Sequence, residues 1–217
     1  GTFDVQQKTD DSPLTAADMA AHQVITDGRR RLTPKWPVLS EEAADIPWSE
    51  RSQWPTYWLV DPLDGTREFI KRNGEFTVNI ALIEQNEPIF GVVHAPVTGE
   101  TWHARQGRNA YRRVGQVDTQ IRTRSPATGA LKVAASRSHR DARTQAFLDA
   151  MGSIEEMSLG SSLKFCRIAE GALDVYPRFG PTSEWDTAAA QCVLEAAGGA
   201  LLAPDGRPFR SNRRPPP

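Results

Sequence analysis

The chain has 217 residues, 39% of them apolar, which is enough for one good core or two small ones. Lys and Arg number 26 against 27 Asp and Glu, and this net charge of -1 argues against a dedicated nucleic-acid binder. Two cysteines make no disulfide framework, and no apolar run approaches the ~18 residues of a membrane span. Residues 1–11 are polar and read as extended, without the basic start and apolar stretch of a signal peptide. These features together predict a soluble cytoplasmic protein.

Thr15 and Asp18 then have the spacing of a capping box, with Asp in place of the usual Glu. Ala17, Ala20, Ala21, Val24 and Ile25 give a helical stripe that ends before Thr33-Pro34. A short strand over 37–40 delivers Glu41-Glu42, and residues 43–55 read as a loop with two tryptophans and two prolines. Tyr57-Trp58-Leu59-Val60 is a buried strand, with Trp58 assigned to the core. An acidic loop and a short helical piece near Glu68-Phe69 follow it. Strands over 77–84, 88–94, 101–105 and 109–113, separated by turn residues, predict an antiparallel meander. From Gly129 onward strand and helix alternate. Strands are expected at 132–136, 154–158, 172–177 and 200–203, and helices at 141–151, 161–170 and 186–197. The fold class is therefore α+β in residues 1–128, with the meander, and α/β in 129–217. Cys166 and Cys192 fall in predicted helices as buried reduced thiols.

The most informative segment is Asp61-Pro62-Leu63-Asp64-Gly65-Thr66. It places two carboxylates at the C-terminal end of a strand, where sheet proteins tend to bind ligands. Pro62 fixes φ and Gly65 permits a left-handed turn, so two side chains and a backbone carbonyl can aim at one point. Hard oxygen ligands of this kind suit Mg²⁺ or Mn²⁺. Two carboxylates this close repel unless a cation lies between them. The segment lacks the acid spacing of an EF-hand. Asp18, Glu41 and Asp186 also lie where an element meets a loop. For Asp18 and Asp186 a helix-capping role stands as the alternative.

Ser40-Glu41-Glu42, the Asp61–Thr66 segment and Trp185-Asp186, in that order, resemble the signature of the inositol monophosphatase-like, Mg²⁺-dependent, lithium-sensitive phosphatases. Ser12-Pro13-Leu14-Thr15-Ala16-Ala17-Asp18, the run 68–77, Ser136-Arg137-Ser138-His139 and Gly160-Ser161-Ser162-Leu163-Lys164-Phe165 are similar to the CysQ-type 3'(2'),5'-bisphosphate nucleotidases within that superfamily. The resemblance covers about Val5 to about Pro208 and implies a layered αβαβα sandwich. Such relatives carry a helix before the region where this sequence begins and continue past its last residue. Without those parts, core surface and a sheet edge are expected to be exposed.

The resemblance implies hydrolysis of the 3'-phosphate of adenosine 3',5'-bisphosphate or its sulfated counterpart, in sulfur assimilation and nucleotide recycling. Two or three Mg²⁺ ions are implied, with Mn²⁺ as a substitute. Glu41, Asp61 and the Leu63 carbonyl would hold one ion, and Asp61, Asp64 and Asp186 a second. Glu41 with Thr66, or Asp18 acting through Thr66, would direct the attacking water, and the two readings stay open here. Gly65, Thr66 and Asp186 would contact the scissile phosphate and its ester. His139, Ser161 and Lys164, with Arg178 beside them, would take the 5'-phosphate or ribose. A helix cap for Ser161 and a solvated charge for Lys164 are the alternatives. His22, His94 and His103 share no metal-ligand spacing and read as structural or exposed. Arg105, Arg108, Arg112, Arg113, Arg122 and Arg124 read mainly as a solvated face. The expected partner is a small nucleotide bisphosphate rather than a nucleic acid, in a monomer or homodimer, in the cytoplasm or on the inner face of the membrane. An inositol or sugar monophosphatase, or an inactive nucleotide- or metal-binding homologue, are the competing readings.

Overall fold

The computed structural model describes residues 5–7, 13–125, 129–136 and 141–212. Strands β1 (Val5–Gln7) and β2 (Pro13–Thr15) pair antiparallel and lead into helix α1 (Ala16–Leu32). Its start is the expected capping box. The backbone N–H of Thr15 donates to Asp18 Oδ2 at 2.8 Å, and that of Ala17 donates to Thr15 Oγ1 at 3.2 Å. Arg29, Arg30 and Arg31 occupy the last turn, where the helix dipole favours cations. The apolar stripe of α1 is less buried than its periodicity predicts, with Val24 73% exposed.

The main sheet has seven strands in chain order. Strand β3 (Val38–Ser40) runs parallel to β4 (Thr56–Asp64). The antiparallel meander of β5 (Thr77–Glu84), β6 (Glu87–Ala95), β7 (Glu100–Arg105), β8 (Ala110–Val114) and β9 (Val117–Ile121) follows. Strand β9 is not expected from the sequence. It is an edge strand with only Ile121 buried, so it carries no apolar alternation to detect. A single helical turn, α2 (Trp48–Arg51), interrupts the expected 43–55 loop. Helix α3 (Thr66–Lys71) follows β4.

Side-chain alternation sorts the sheet into two faces. Leu39, Tyr57, Leu59, Ile83, Val93 and Trp102 form one core with helices α5 (Leu163–Ala169) and α6 (Ala188–Ala196), including the free thiol residues Cys166 and Cys192. Gly91 on β6 allows α6 its close approach, since a Cβ there would collide with the Ala189 carbonyl oxygen. The expectation for Trp58 is corrected. Its neighbours Tyr57 and Leu59 take the core face, so Trp58 is half-buried on the α1 side. There its indole N–H donates to Thr33 Oγ1 at 2.9 Å, and its ring meets Phe90 edge-on.

Strands β10 (Leu131–Ser136) and β11 (Ile154–Leu159) pair parallel, with α4 (Ala142–Ala150) between them in sequence. Ala134 joins the α5–α6 core, while the adjacent Val133, fully buried, faces the opposite way. The layers are thus α1, the large sheet, α5 with α6, the small sheet and α4, an αβαβα sandwich. Two expected strands shrink to single bridges, Val133 with Val175 and Leu202 with Pro208. Arg105, Arg108, Arg113 and Arg122 are exposed, whereas Arg112 and Arg124 are held by Glu100 and Asp174. His22, His94 and His103 bond to Ser40, Thr101 and Asp118. Among the described residues, no helix is long and apolar enough to cross a membrane.

Candidate active site

Strand β4 carries the acidic segment as its own last residues rather than in a loop beyond it. Asp61 stays in register with Asn79, Asp64 pairs with Thr77, and the irregularity between them holds Pro62, whose missing N–H costs no ladder bond at a bulge. The Leu63 N–H turns back to donate to Asp61 Oδ1 at 3.0 Å. Gly65 then takes φ +94°, and a Cβ there would press on Ser161 Cβ and the Glu75 carbonyl oxygen, each at 3.3 Å. This turn starts α3 and sets Thr66 Oγ1 3.4 Å from both Asp18 Oδ1 and the Leu63 carbonyl oxygen. Asp18 and Thr66, 48 residues apart, are therefore neighbours.

Glu41 stands on the 3₁₀ turn Glu41–Ala43, directly after β3. Ser40 pairs with Val60, so Glu41 reaches the level of Asp61 and shares a hydrogen bond with it. Asp186 comes from the turn before α6. It does not cap that helix, which begins at Ala188 after Thr187; its Oδ2 instead accepts the Ser183 N–H at 3.1 Å. Carboxylate oxygens of Asp61, Asp64 and Asp186 lie within 4.8 Å of one another. Burial, followed by Glu41, Asp64 and Asp186, holds the Asp61 carboxyl well above the usual range. Burial, then Asp64 and Glu41, pushes Asp186 up to about 7. Hard carboxylate oxygens packed this closely, with raised proton affinity and a backbone carbonyl beside them, fit a divalent cation of the Mg²⁺ class.

This electrostatic frustration gives a measurable sign. Asp186 binds a proton in the folded state up to about 7, whereas an unfolded carboxylate has released it near 4. The folded state therefore holds more protons across that window, and stability falls as pH rises through it. In chelator, the melting temperature is expected to drop from about pH 5 to pH 7.5, and saturating Mg²⁺ is expected to remove the drop. Thermal denaturation with and without chelator measures both.

The opposite wall comes from the second half of the chain. The Gly160 N–H donates to Glu75 Oε2 at 2.8 Å, which ties the 160–162 loop to the segment before β5. Ser161 lies two residues before α5 with φ +45°, so it is not that helix's cap, and its buried hydroxyl has no partner among the described residues. Lys164 is 4% exposed rather than solvated. Its ammonium donates to the carbonyls of Ser161 at 2.6 Å and Leu159 at 3.3 Å and lies over the Tyr176 ring. Burial lowers its pKa to about 8. Arg178 is anchored by Thr182 Oγ1 and the Pro181 carbonyl. His139 lies outside the described residues. A cleft of about 1160 Å³ joins Glu41, Asp61, Asp64, Thr66 and Asp186 to Ser161, Lys164 and Arg178, with Phe147, Tyr176 and Phe179 along its wall.

Sequence reasoning missed Asn79, Ser162 and these three aromatic residues. Asn79 had a signal, a polar side chain inside the apolar run of β5. The aromatic residues had none, because they converge from α4 and the 176–179 segment only in the fold.

The profile of the Inositol monophosphatase family matches residues 2–215. The chain is 54% identical over 208 residues to "3'(2'),5'-bisphosphate nucleotidase CysQ" of Escherichia coli K12, covering 95% of this chain and 82% of that protein. It is 55% identical over 193 residues to the protein of the same name from Salmonella typhimurium, covering 88% and 76%. Among solved structures it is similar to CysQ from Bacteroides thetaiotaomicron, with a TM-score of 0.84, 41% identity and coverage of 95% and 82%.

Proposed function

We propose a function on one premise: this chain belongs to the inositol monophosphatase family. It is a 3'(2'),5'-bisphosphate nucleotidase, a phosphomonoesterase that removes the 3'-phosphate of adenosine 3',5'-bisphosphate to give AMP and phosphate. One observation carries the reading. Three carboxylates from β4 and the turn before α6, with oxygens within 4.8 Å, open on a cleft large enough for a nucleotide.

The proposed cofactor is Mg²⁺. When bound, a divalent cation neutralises charge on the transferring phosphoryl group and acidifies water. Glu41, Asp61, Asp64, Asp186 and the Leu63 carbonyl would hold it. Backbone N–H groups of Gly65 and Thr66 are offered to phosphate oxygens as an anion-binding turn. Thr66 orients the attacking water, and as its oxygen receives the water's proton its own hydroxyl proton passes to Asp18 Oδ1, so the proton ends on the Asp18 carboxylate. The Ser161 hydroxyl, unpartnered among the described residues, is offered to the ribose or the 5'-phosphate, since a buried hydroxyl without a partner costs free energy until a ligand supplies one. Lys164 holds the Ser161 loop and adds positive charge beneath it. Phe147, Tyr176 and Phe179 favour a nucleotide over an inositol phosphate, because a base can stack on an aromatic face and a cyclitol ring has no π system.

Phosphate release with Mg²⁺ is expected to be faster from adenosine 3',5'-bisphosphate than from inositol 1-phosphate, by kcat/KM at least tenfold, or about 1.4 kcal/mol of discrimination. Faster turnover of inositol 1-phosphate would reject the nucleotidase reading. Turnover of neither would reject the phosphatase.

A further inference from the structure

Asp64 is surrounded by donors, and every hydrogen bond that described residues direct to its carboxylate lands on one oxygen. Asp64 Oδ2 accepts from the Ser162 N–H at 2.7 Å and Ser162 Oγ at 2.9 Å, and more distantly from Asn79 Nδ2 at 3.3 Å, with Thr77 Oγ1 3.4 Å away. Oδ1 is thereby left for a cation. Ser162 Oγ also lies 2.8 Å from the backbone carbonyl of Asp186 and accepts from Asn79 Nδ2 at 2.9 Å. The orientation of Asn79 is fixed in turn, because Thr77 Oγ1 donates to its Oδ1 at 3.0 Å. Both Ser162 and Asn79 are 1% exposed, so these contacts form in a desolvated site. A single hydroxyl thus joins the end of β4 to the turn before α6. These are the two stretches of chain whose carboxylates come together 122 residues apart.

We infer that Ser162, with Asn79 behind it, is a positioning residue that orients the Asp64 carboxylate and the Asp186 backbone for cation binding. The inference rests on the reading of the carboxylate cluster as a cation site. A ligating carboxylate held by an outer hydrogen bond loses no rotational freedom when the ion arrives, and removing such a partner typically weakens metal affinity about 10–100-fold. The left-handed backbone of Ser161, φ +45°, directs the Ser162 N–H and hydroxyl to the same carboxylate oxygen. That geometry is local strain maintained where it aligns a site.

The test is Ser162→Ala, which removes the hydroxyl and keeps the N–H, with Asn79→Ala as a second variant that removes the donor to it. Mn²⁺ and Mg²⁺ dissociation constants are measured by titration calorimetry on the metal-free protein, alongside its melting temperature. The expected result is a dissociation constant raised roughly tenfold or more in Ser162→Ala, a smaller rise in Asn79→Ala, and effects that do not add in the double variant. The Mg²⁺ concentration for half-activation is expected to rise in parallel, with the nucleotide KM at saturating Mg²⁺ little changed. Unchanged dissociation constants in variants that remain folded would overturn the positioning role while leaving the cation site intact. A wild-type protein that binds neither ion would overturn the cation site, and this inference with it.

Discussion

Asp186→Ala is expected to lower kcat by ~10³-fold or more while the chain stays folded. A bound cation's charge stabilisation in the transition state is worth several kcal/mol, and each 1.36 kcal/mol or so is tenfold in rate. Asp64→Ala is expected to match that loss, yet the two variants should part in stability. In the metal-free protein Asp186 is a desolvated carboxylate beside Asp64 and Glu41, and its removal relieves repulsion. Among the described residues its carboxylate accepts one hydrogen bond, from the Ser183 N–H at 3.1 Å, a modest loss. Metal-free Asp186→Ala should therefore melt at or above the wild-type temperature, and the Mg²⁺-induced rise should shrink. Removing Asp64 leaves the Ser162 N–H without its acceptor in a buried site. An orphaned buried donor costs about 1–3 kcal/mol, so metal-free Asp64→Ala should melt lower. Phosphate-release assays and thermal melts with and without Mg²⁺ read both halves. Normal turnover in either variant would remove that carboxylate from the catalytic centre.

The sequence reveals those parts of this fold that are governed by neighbours along the chain. The 2-residue period of β5 to β8 and the Thr15–Asp18 capping box depend on local geometry, and both appear in the structure. Side chains whose role depends on distant partners are less legible. Trp58 is more apolar than Tyr57, but alternation along β4 gives the core face to Tyr57 and leaves Trp58 beside α1. Lys164 is expected to meet the 5'-phosphate or ribose, with a solvated charge as the alternative, and no local pattern shows that the carbonyls of Leu159 and Ser161 receive its protons in a buried site. Ser162 lies 98 residues from Asp64, and nothing within a local window links them. The acidic residues are an intermediate case. Two of them share a short segment and attract notice as a pair, whereas their convergence with Asp186 depends on α6 packing across Gly91.

Asp18→Asn is expected to lower kcat about 10²–10⁴-fold, the usual contribution of a positioned base, with the Mg²⁺ dissociation constant unchanged. The geometry separates Asp18 from Glu41 in this respect. Glu41 shares a hydrogen bond with Asp61 and acts electrostatically on both Asp61 and Asp186, so its charge belongs to the cation cluster. Asp18 divides its two oxygens. Oδ2 closes the capping box with the N–H and hydroxyl of Thr15, and Oδ1 faces the Thr66 hydroxyl at 3.4 Å. Asparagine retains an oxygen for the cap but loses the charge that would accept a proton through Thr66, so the fold should lose no more than about 1 kcal/mol. Thr66→Val removes the hydroxyl that stands between Asp18 and the water while keeping the β-branched shape. If the two groups work as one relay, the double variant should be scarcely slower than either single one, since groups that act as a unit are strongly non-additive. Glu41→Gln should behave differently, raising the Mg²⁺ requirement first. A full-rate Asp18→Asn enzyme, or losses that multiply in the double variant, would transfer the proton-accepting role from Asp18 to Glu41.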